Sequence, residues 1–180
     1  MDAWDDAAYR WLLPTRALIA GTVSAGRPFL GVCLGHQLAA LALGGEVGRQ
    51  PGGQTMGLRA WRPTPEGVVD PLTSALRPGT EVLQWNSDAV TALPSGATLL
   101  AEDAEGTVQA ARYGPQAWGV QFHPEVDDEL VRGWTTGHRP EAEASTLETL
   151  GRRQDELHPA WEQLIRRFGL LAVSPQSRPA

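Results

Sequence analysis

Cys33, the single cysteine of the chain, lies in the sequence GVCLG at residues 31–35. The run before it, residues 28–32, is apolar and strand-like, and the stretch after it is alanine-rich with helical spacing. A Gly-x-nucleophile-x-Gly turn between a buried strand and a helix is the pattern of a nucleophile elbow, in which the flanking residues must lack bulky side chains. A helix N-terminus favours thiolate over thiol, so this position suits a reactive cysteine. A lone cysteine elsewhere is most often a small buried apolar residue.

The sequence HPE at residues 123–125 supplies the two other groups that a cysteine nucleophile requires. A histidine can take the proton and return it to the leaving group, and a third group must fix the orientation of the imidazole. His123 and Glu125 are two positions apart, so their side chains point the same way on an extended chain, and Pro124 stiffens the turn. Alone, such a tripeptide would be interpreted as a solvated turn. Together with the elbow, it predicts a Cys–His–Glu triad.

The motifs GVCLGHQ and FHPE together resemble the class I (triad-type) glutamine amidotransferase domain over about residues 14–126. Within that family, the chain is similar to free-standing, GMP-synthase-like members, which carry LQWHxD where this sequence has LQWNSD at residues 83–88. The resemblance implies hydrolysis of the side-chain amide of glutamine through a glutamyl-thioester, with release of ammonia. It also implies that neither a metal nor an organic cofactor takes part in this reaction.

The resemblance assigns a role to each matching residue. Cys33 corresponds to the acylated nucleophile, His123 to the general base and acid, and Glu125 to the orienting carboxylate. The backbone N–H of Leu34 corresponds to an oxyanion donor, which the elbow geometry also predicts. Gln37 corresponds to the residue whose side chain contacts the substrate glutamine, and its alternative is an ordinary helix amide.

The other histidines are not assigned to the reaction. His36 belongs to the motif, but the role of the base is already filled, so we expect it to be structural. We expect His138 and His158 to lie at the surface. Four dispersed histidines and one cysteine do not form a metal-ligand cluster in the sequence.

Three departures from the family pattern generate expectations. The chain lacks the opening strands and a glycine-rich loop that would supply a second oxyanion donor, a segment that takes about 30 residues or more. We therefore expect an N-terminally incomplete domain with an unpaired strand edge, prone to dimerise or aggregate and poor as a glutaminase. Thr55-Met56-Gly57 stands where Glu-x-Gly is common, and Asn86 where His is common. Both suggest an altered substrate or acyl acceptor.

Composition sets the class of protein. The chain has 180 residues, of which 42% are hydrophobic and 20% charged, and a net charge of −6. The length predicts one domain, over residues 1–172, followed by a tail at 173–180. The negative net charge excludes nucleic acid and anionic membrane as partners. One cysteine cannot form an internal disulfide, and the sequence contains no apolar run long enough for a membrane span and no signal-peptide profile. We therefore expect a cytoplasmic protein.

The elements that position these residues predict an α/β fold, a flavodoxin-like parallel sheet flanked by helices with a small antiparallel β excursion over about 80–115. The first helix is expected over about 14–25, with Leu18, Ile19 and Val23 facing the core. The last is expected to begin at His158-Pro159 and to dock a stripe of Trp161, Leu164, Ile165, Phe168 and Leu171. A strand ending at Phe122 and a helix capped by Asp127 are expected between them. Residues 51–57 and 136–145 are expected to be loops, and 63–70 to be turns.

Three functions remain open at this level. The first is a glutamine amidohydrolase that uses Cys33 and passes ammonia to a separate synthase chain. The second is a γ-glutamyl peptidase, which differs from the first in the leaving group of its small-molecule substrate. The third is a catalytically impaired regulatory or binding subunit. The intact triad opposes the third alternative and the absent opening segment favours it.

Overall fold

The computed structural model describes residues 2–50 and 52–174. The helices are α1 (Leu12–Ser24), α2 (Leu34–Ala42), α3 (Pro65–Val69), α4 (Asp128–Arg132) and α5 (Pro140–Val173), with one 3₁₀ turn at Thr73–Ala75. The strands are β1 (Phe29–Val32), β2 (Glu46–Arg49), β3 (Thr55–Ala60), β4 (Glu81–Asn86), β5 (Asp88–Ala92), β6 (Thr98–Glu102), β7 (Val108–Gly114) and β8 (Ala117–Val120).

The central sheet has four strands in the order β1-β8-β7-β6. Its β1–β8 pair is parallel, whereas β8–β7 and β7–β6 are antiparallel. The connection between β7 and β8 is only residues 115–116, and so short a link can join only antiparallel neighbours. Two further antiparallel pairs, β2–β5 and β3–β4, lie outside this sheet. The expected α/β class is confirmed. The antiparallel strands β6 and β7, however, extend the central sheet instead of forming a separate excursion.

Helices cover the sheet from two sides, and each side has its own apolar cluster. Ile19 of α1 and Leu38 of α2 pack with Ala111 and Tyr113 of β7. The second cluster joins α5 to the sheet and to the β3–β4 pair, with Trp118 of β8 among its members. Among the described residues, β1 is the outermost strand at one edge of the central sheet, which agrees with the unpaired edge expected for it. Of the predicted tail, Val173 still belongs to α5, and residues 175–180 lie outside the described residues.

The first helix presents a different face to the core from the one predicted. Leu12 and Ile19 are buried, whereas the side chain of Leu18 is 70% exposed, so the prediction for Leu18 is wrong. Successive helical residues are rotated by about 100°, which turns Leu18 to the side when Leu12 and Ile19, one heptad apart, face inward. Val23 is half-buried and packs against the cluster.

The last helix begins 18 positions earlier than His158, at Pro140 (158 − 140). The prediction of a loop over residues 136–145 is therefore wrong from Pro140 onwards, and Pro159 lies inside the helix. Proline at the first helical position is a start signal, because its missing N–H is not needed there. Polar residues fill most of this helix, since only a narrow stripe is buried. Trp161 and Leu164 belong to that stripe, as predicted. Phe168 and Leu171 are half-buried against it, whereas Ile165 is exposed, so the prediction for Ile165 is wrong.

Smaller differences concern element ends. Residues predicted as turns contain the short helix α3, which Thr64 caps by accepting a hydrogen bond from the N–H of Gly67. β3 begins at Thr55, inside the predicted loop, and β8 ends at Val120, before Phe122. Asp127 caps α4 as predicted, because its carboxylate accepts the N–H of Leu130 at 2.8 Å. Among helices of the described residues, none is both long and apolar enough to cross a membrane.

Candidate active site

The parallel pairing of β1 with β8 brings the two chemical motifs together. Val32 is in register with Val120, so the residues that follow both strands emerge at the same edge of the sheet. The pairing continues one step further, because the N–H of Cys33 donates to the carbonyl of Val120 at 2.8 Å. Cys33 therefore lies beside the segment that leads to His123, although the two are far apart in sequence.

Cys33 has the strained backbone of an elbow nucleophile. Its φ is +47° and its ψ is −102°, and it is the one described non-glycine residue with positive φ. Such a conformation disfavours a side chain and persists only where the surrounding structure enforces it. A Cβ at Gly31 would lie 2.5 Å from the carbonyl carbon of Gly35, so this glycine is required for the close approach of strand and helix. A Cβ at Gly35 meets no atom within 4 Å, so the close approach requires glycine at position 31 and leaves room for a methyl group at position 35.

His123 is held from both its backbone and its ring. Its N–H donates to the carbonyl of Leu83 on β4 at 2.9 Å, and its Nδ1 lies 2.7 Å from Oε1 of Glu125. The ring of Trp134 covers the imidazole at a centroid distance of 4.6 Å. Burial lowers the pKa of His123, but hydrogen bonds to Cys33 and Glu125 and the charges of these groups outweigh it and raise the pKa to about 9. The imidazolium is therefore the favoured form at neutral pH.

Gln37 and a residue not singled out by the sequence, Gln121, form a buried chain behind the sulfur. The side-chain nitrogen of Gln37 donates to the carbonyl of Asp88 at 2.8 Å and to Oε1 of Gln121 at 3.2 Å. The side-chain nitrogen of Gln121 in turn lies 3.4 Å from Sγ of Cys33. The hydrogen atoms of Gln37 thus have protein acceptors, and its side-chain oxygen is the atom left to meet a ligand.

A cavity of about 220 Å³ opens at Cys33. Leu34 lines it, and as the first residue of α2 it has an N–H without an intrahelical acceptor. The other lining residues, besides Gln37, come from the N-terminal segment, from β2 and the loop after it, and from the β4–β5 turn: Asp2, Arg49, Gln54, Trp85, Asn86, Ser87 and Asp88. This volume is below the range for drug-sized ligands, so it suits a small metabolite.

Charged residues ring the mouth of this cavity. Arg49 lies 2.9 Å from Oδ1 of Asp88 and 2.9 Å from Oδ2 of Asp2. Burial raises the pKa of Asp88, and Arg49 opposes this shift. Asn86 is buried and donates to the carbonyl of Asp88 at 3.0 Å, which holds the turn. Asn86 therefore supports the shape of the cavity where the family commonly has a histidine.

The remaining histidines do not join the site. His36 is buried against Tyr113, whose hydroxyl lies 2.9 Å from Nδ1, and burial lowers the pKa of His36 to about 3. It is neutral and fills the contact between α2 and β7, which fits the structural role expected for it. His138 is exposed, as expected, whereas His158 is half-buried against Trp161, so its expected surface position is wrong. Within residues 2–50 and 52–174, no three His, Cys, Asp or Glu side chains are arranged to hold a metal ion.

Three residues of the site, Gln121, Arg49 and Trp134, carry no clear signal in the sequence. Gln121 precedes the HPE motif and resembles an ordinary strand residue. Arg49 and Asp88 approach each other because β2 pairs with β5, a pairing that no turn connects. Trp134 reaches His123 from beyond α4. Asp88 belongs to the LQWNSD stretch noted in the sequence, whereas only a correct prediction of the strand pairing would have indicated Arg49.

Comparison with known proteins identifies the class. Residues 14–130 match the family described as Glutamine amidotransferase class-I, and the chain belongs to this family. A solved glutamine amidotransferase from Thermotoga maritima is similar over 93% of this chain and 74% of its own, with 28% identity and a TM-score of 0.79. Its similarity supports the α/β fold described above.

Two curated relatives indicate the range of activities in the family. Gamma-glutamyl peptidase 5 of Arabidopsis thaliana is 30% identical over 67% of this chain and 49% of its own length. A GMP synthase (glutamine-hydrolyzing) subunit from Halobacterium salinarum is 40% identical over 55% of this chain and 53% of its own length. The chain thus spans about half the length of these two relatives.

Proposed function

We propose that this protein is a cysteine-dependent glutamine amidohydrolase, the ammonia-releasing half of an amidotransferase. The observation that carries the proposal is that Cys33, in its strained elbow at φ +47°, emerges at the same sheet edge as His123, whose Nδ1 lies 2.7 Å from Oε1 of Glu125. A nucleophile, a base and an orienting carboxylate at one sheet edge form the arrangement that acyl transfer requires.

The reaction follows from these positions. The thiolate of Cys33 attacks the side-chain amide carbon of glutamine, and the N–H of Leu34 stabilises the oxyanion. His123, held by Glu125, gives its proton to the departing nitrogen, and ammonia leaves with formation of a glutamyl-thioester. A water molecule that has lost its proton to His123 then attacks the thioester, and glutamate is released while Cys33 is restored.

The cavity offers groups for both charges of an α-amino acid. Arg49 is suited to the α-carboxylate, because a guanidinium matches the planar geometry of a carboxylate. The free side-chain oxygen of Gln37 is suited to the α-ammonium group, since its nitrogen already donates to protein acceptors. A substrate held in this way would place its γ-carbonyl near Cys33, in agreement with the role that the family resemblance gives to Gln37.

The second candidate is a γ-glutamyl peptidase, and it is favoured by the similarity to the Arabidopsis peptidase. Both candidates share the γ-glutamyl half of the substrate and differ in the leaving group, which is ammonia in one and an amine or peptide in the other. If ammonia is the product that the cell uses, a separate synthase chain would supply its acceptor. We place either activity in the cytoplasm, where a thiol stays reduced.

The test compares ammonia release from glutamine with amine release from a panel of γ-glutamyl dipeptides. We expect the native protein to hydrolyse glutamine and the Cys33→Ser variant to be inactive. A chloro-ketone or diazo-ketone analogue of glutamine should label the native chain and not Cys33→Ser, as measured by intact mass. Preference for dipeptides would favour the peptidase. Absence of both turnover and labelling would refute both activities and favour a catalytically impaired subunit.

A further inference from the structure

Gln121, which follows β8, has a side chain that donates to the reacting sulfur. It is fully buried, with no exposed surface, and its side-chain nitrogen lies 3.4 Å from Sγ of Cys33. A buried amide whose donor faces a thiol has lost its water and gains most when the sulfur carries a negative charge.

The orientation of this amide is fixed by a backbone group. The carbonyl of Asp88 can only accept, so the side-chain group of Gln37 that faces it must be the nitrogen. The same nitrogen faces Gln121, which therefore presents its oxygen to Gln37. The nitrogen of Gln121 is then left on the side of Cys33.

We propose that Gln121 is a catalytic residue that stabilises the Cys33 thiolate by donating its side-chain N–H, and that Gln37 and the Asp88 carbonyl position it. This inference rests on the proposed function, because it assigns a group to the same nucleophile. His123 accounts for the transfer of the proton, and Gln121 accounts for part of the stability of the charge left on sulfur. Gln121 and His123, the two side chains assigned to Cys33, are two residues apart in the sequence.

The proposal also gives Gln37 a second role. Gln37 lines the cavity at Cys33, and its nitrogen in addition keeps the amide of Gln121 from turning over. Turning it over would place an oxygen against a thiolate, and the two would repel each other. Substrate binding at Gln37 and the reactivity of Cys33 are thus linked through a single side chain.

The experiment measures alkylation of Cys33 by iodoacetamide as a function of pH. As Cys33 is the single thiol in the chain, the rate reports on that residue alone. The variant Gln121→Met keeps the length of the side chain and loses the donor. Gln121→Glu keeps an oxygen for Gln37 and replaces the donor with a carboxylate.

We expect the alkylation rate of Gln121→Met at pH 7 to be about tenfold lower than that of the native protein, the usual effect of one hydrogen bond to a charged group. The rates should converge at high pH. Gln121→Glu should lose more at pH 7, and Gln37→Met should lose about twofold to threefold.

If Gln121 has only a structural role, its replacement should lower the alkylation rate by the same factor at every pH, and that result would overturn the proposal. Alkylation rates equal to those of the native protein at every pH would overturn it as well. Gln109→Met is the matched control, because Gln109 is a buried glutamine on β7 whose side chain bonds to Gln84 and Asp103. Its backbone carbonyl, which accepts the N–H of Gln121 at 2.8 Å, is kept in this variant. Thermal unfolding of each variant shows whether it is folded. If Gln121→Met does not fold, the comparison of Gln121→Glu with Gln37→Met decides. Ammonia release is scored separately, so a protein that does not hydrolyse glutamine refutes the proposed function without deciding the role of Gln121.

Discussion

Replacing Gly31 with alanine should destabilise the protein, whereas the same change at Gly35 should not. A Cβ at Gly31 would lie 2.5 Å from both the carbonyl carbon and the oxygen of Gly35, and 2.7 Å from the nitrogen of His36. All three are backbone atoms at the start of α2, so no side chain can move aside. The strand and the helix must separate, and the elbow that carries Cys33 must open with them.

The magnitude follows from the cost of overpacking. Inserting a methyl group into a tightly packed site costs about 1–3 kcal/mol, and the upper end applies where backbone has to move. For a chain of this size, about 3 kcal/mol lowers Tm by about 6–12 °C. Gly35→Ala adds a methyl group in open space on a helix, where alanine is favoured over glycine by about 0.5–1 kcal/mol. Its Tm should be unchanged or raised by a few degrees, about 1–4 °C.

The assay is thermal and urea unfolding of the native protein and both variants, followed by circular dichroism. The two substitutions are chemically identical and lie four positions apart, which makes each the control for the other. Equal Tm values for Gly31→Ala and Gly35→Ala would show that the close contact of β1 with α2 does not constrain the elbow. A stable Gly31→Ala protein with normal alkylation of Cys33 would refute the reasoning completely.

Four further predictions concern the chemistry. Glu125→Gln should lower ammonia release by about 10³-fold or more, because it leaves the imidazolium without its carboxylate, and near-normal turnover would show that Glu125 is only a turn residue. The pKa of His123 is raised from 6.5 to about 9, so the protonated imidazole stabilises the fold fully below pH 6.5, and this stabilisation is lost as the pH rises through about 9. Urea unfolding as a function of pH should show this loss in the native protein and a smaller loss in Glu125→Gln. Trp134→Ala should lower kcat by about tenfold with little change in KM, since the ring packs against His123 and is not among the residues that line the cavity at Cys33. Arg49→Met should instead raise KM for glutamine by about tenfold with kcat nearly unchanged, as steady-state kinetics would show, because it removes the partner proposed for the α-carboxylate.

The fold is predictable where local signals agree with the tertiary structure. The strand and helix around Cys33 stand out because the apolar run, the glycines and the helical spacing all change within a few residues. The sequence places the start of α5 too late, because the first half of this helix is mostly polar and Pro159 resembles a start signal. The true start at Pro140 carries the same signal, and sequence alone does not decide between the two prolines. What decides is packing, since Leu150 and Leu157 are buried in the second apolar cluster.

The candidate site is predictable where chemistry resides in a rare side chain. Cys33 and His123 stand out because a thiol or an imidazole within a turn motif is seldom needed for folding alone. Arg49 and Gln121 do not, because arginine and glutamine are ordinary on strands, and their importance comes from the pairing of β2 with β5 and from the position of Gln37. These are long-range contacts that the periodicity of a single segment does not encode.

Three of the contacts that align the site make this difference clear, because in each of these three the acceptor is a backbone carbonyl. Cys33 donates its N–H to Val120, His123 donates its N–H to Leu83, and Gln37 donates its side-chain N–H to Asp88. Each bond ties one functional residue to a distant strand, and every residue type has a carbonyl to offer. Substitutions at Val120 or Leu83 that preserve packing should therefore leave these bonds intact. A change in the register of β8 or β4 would break them, and the geometry around Cys33 thus depends on strand register, which a motif does not specify.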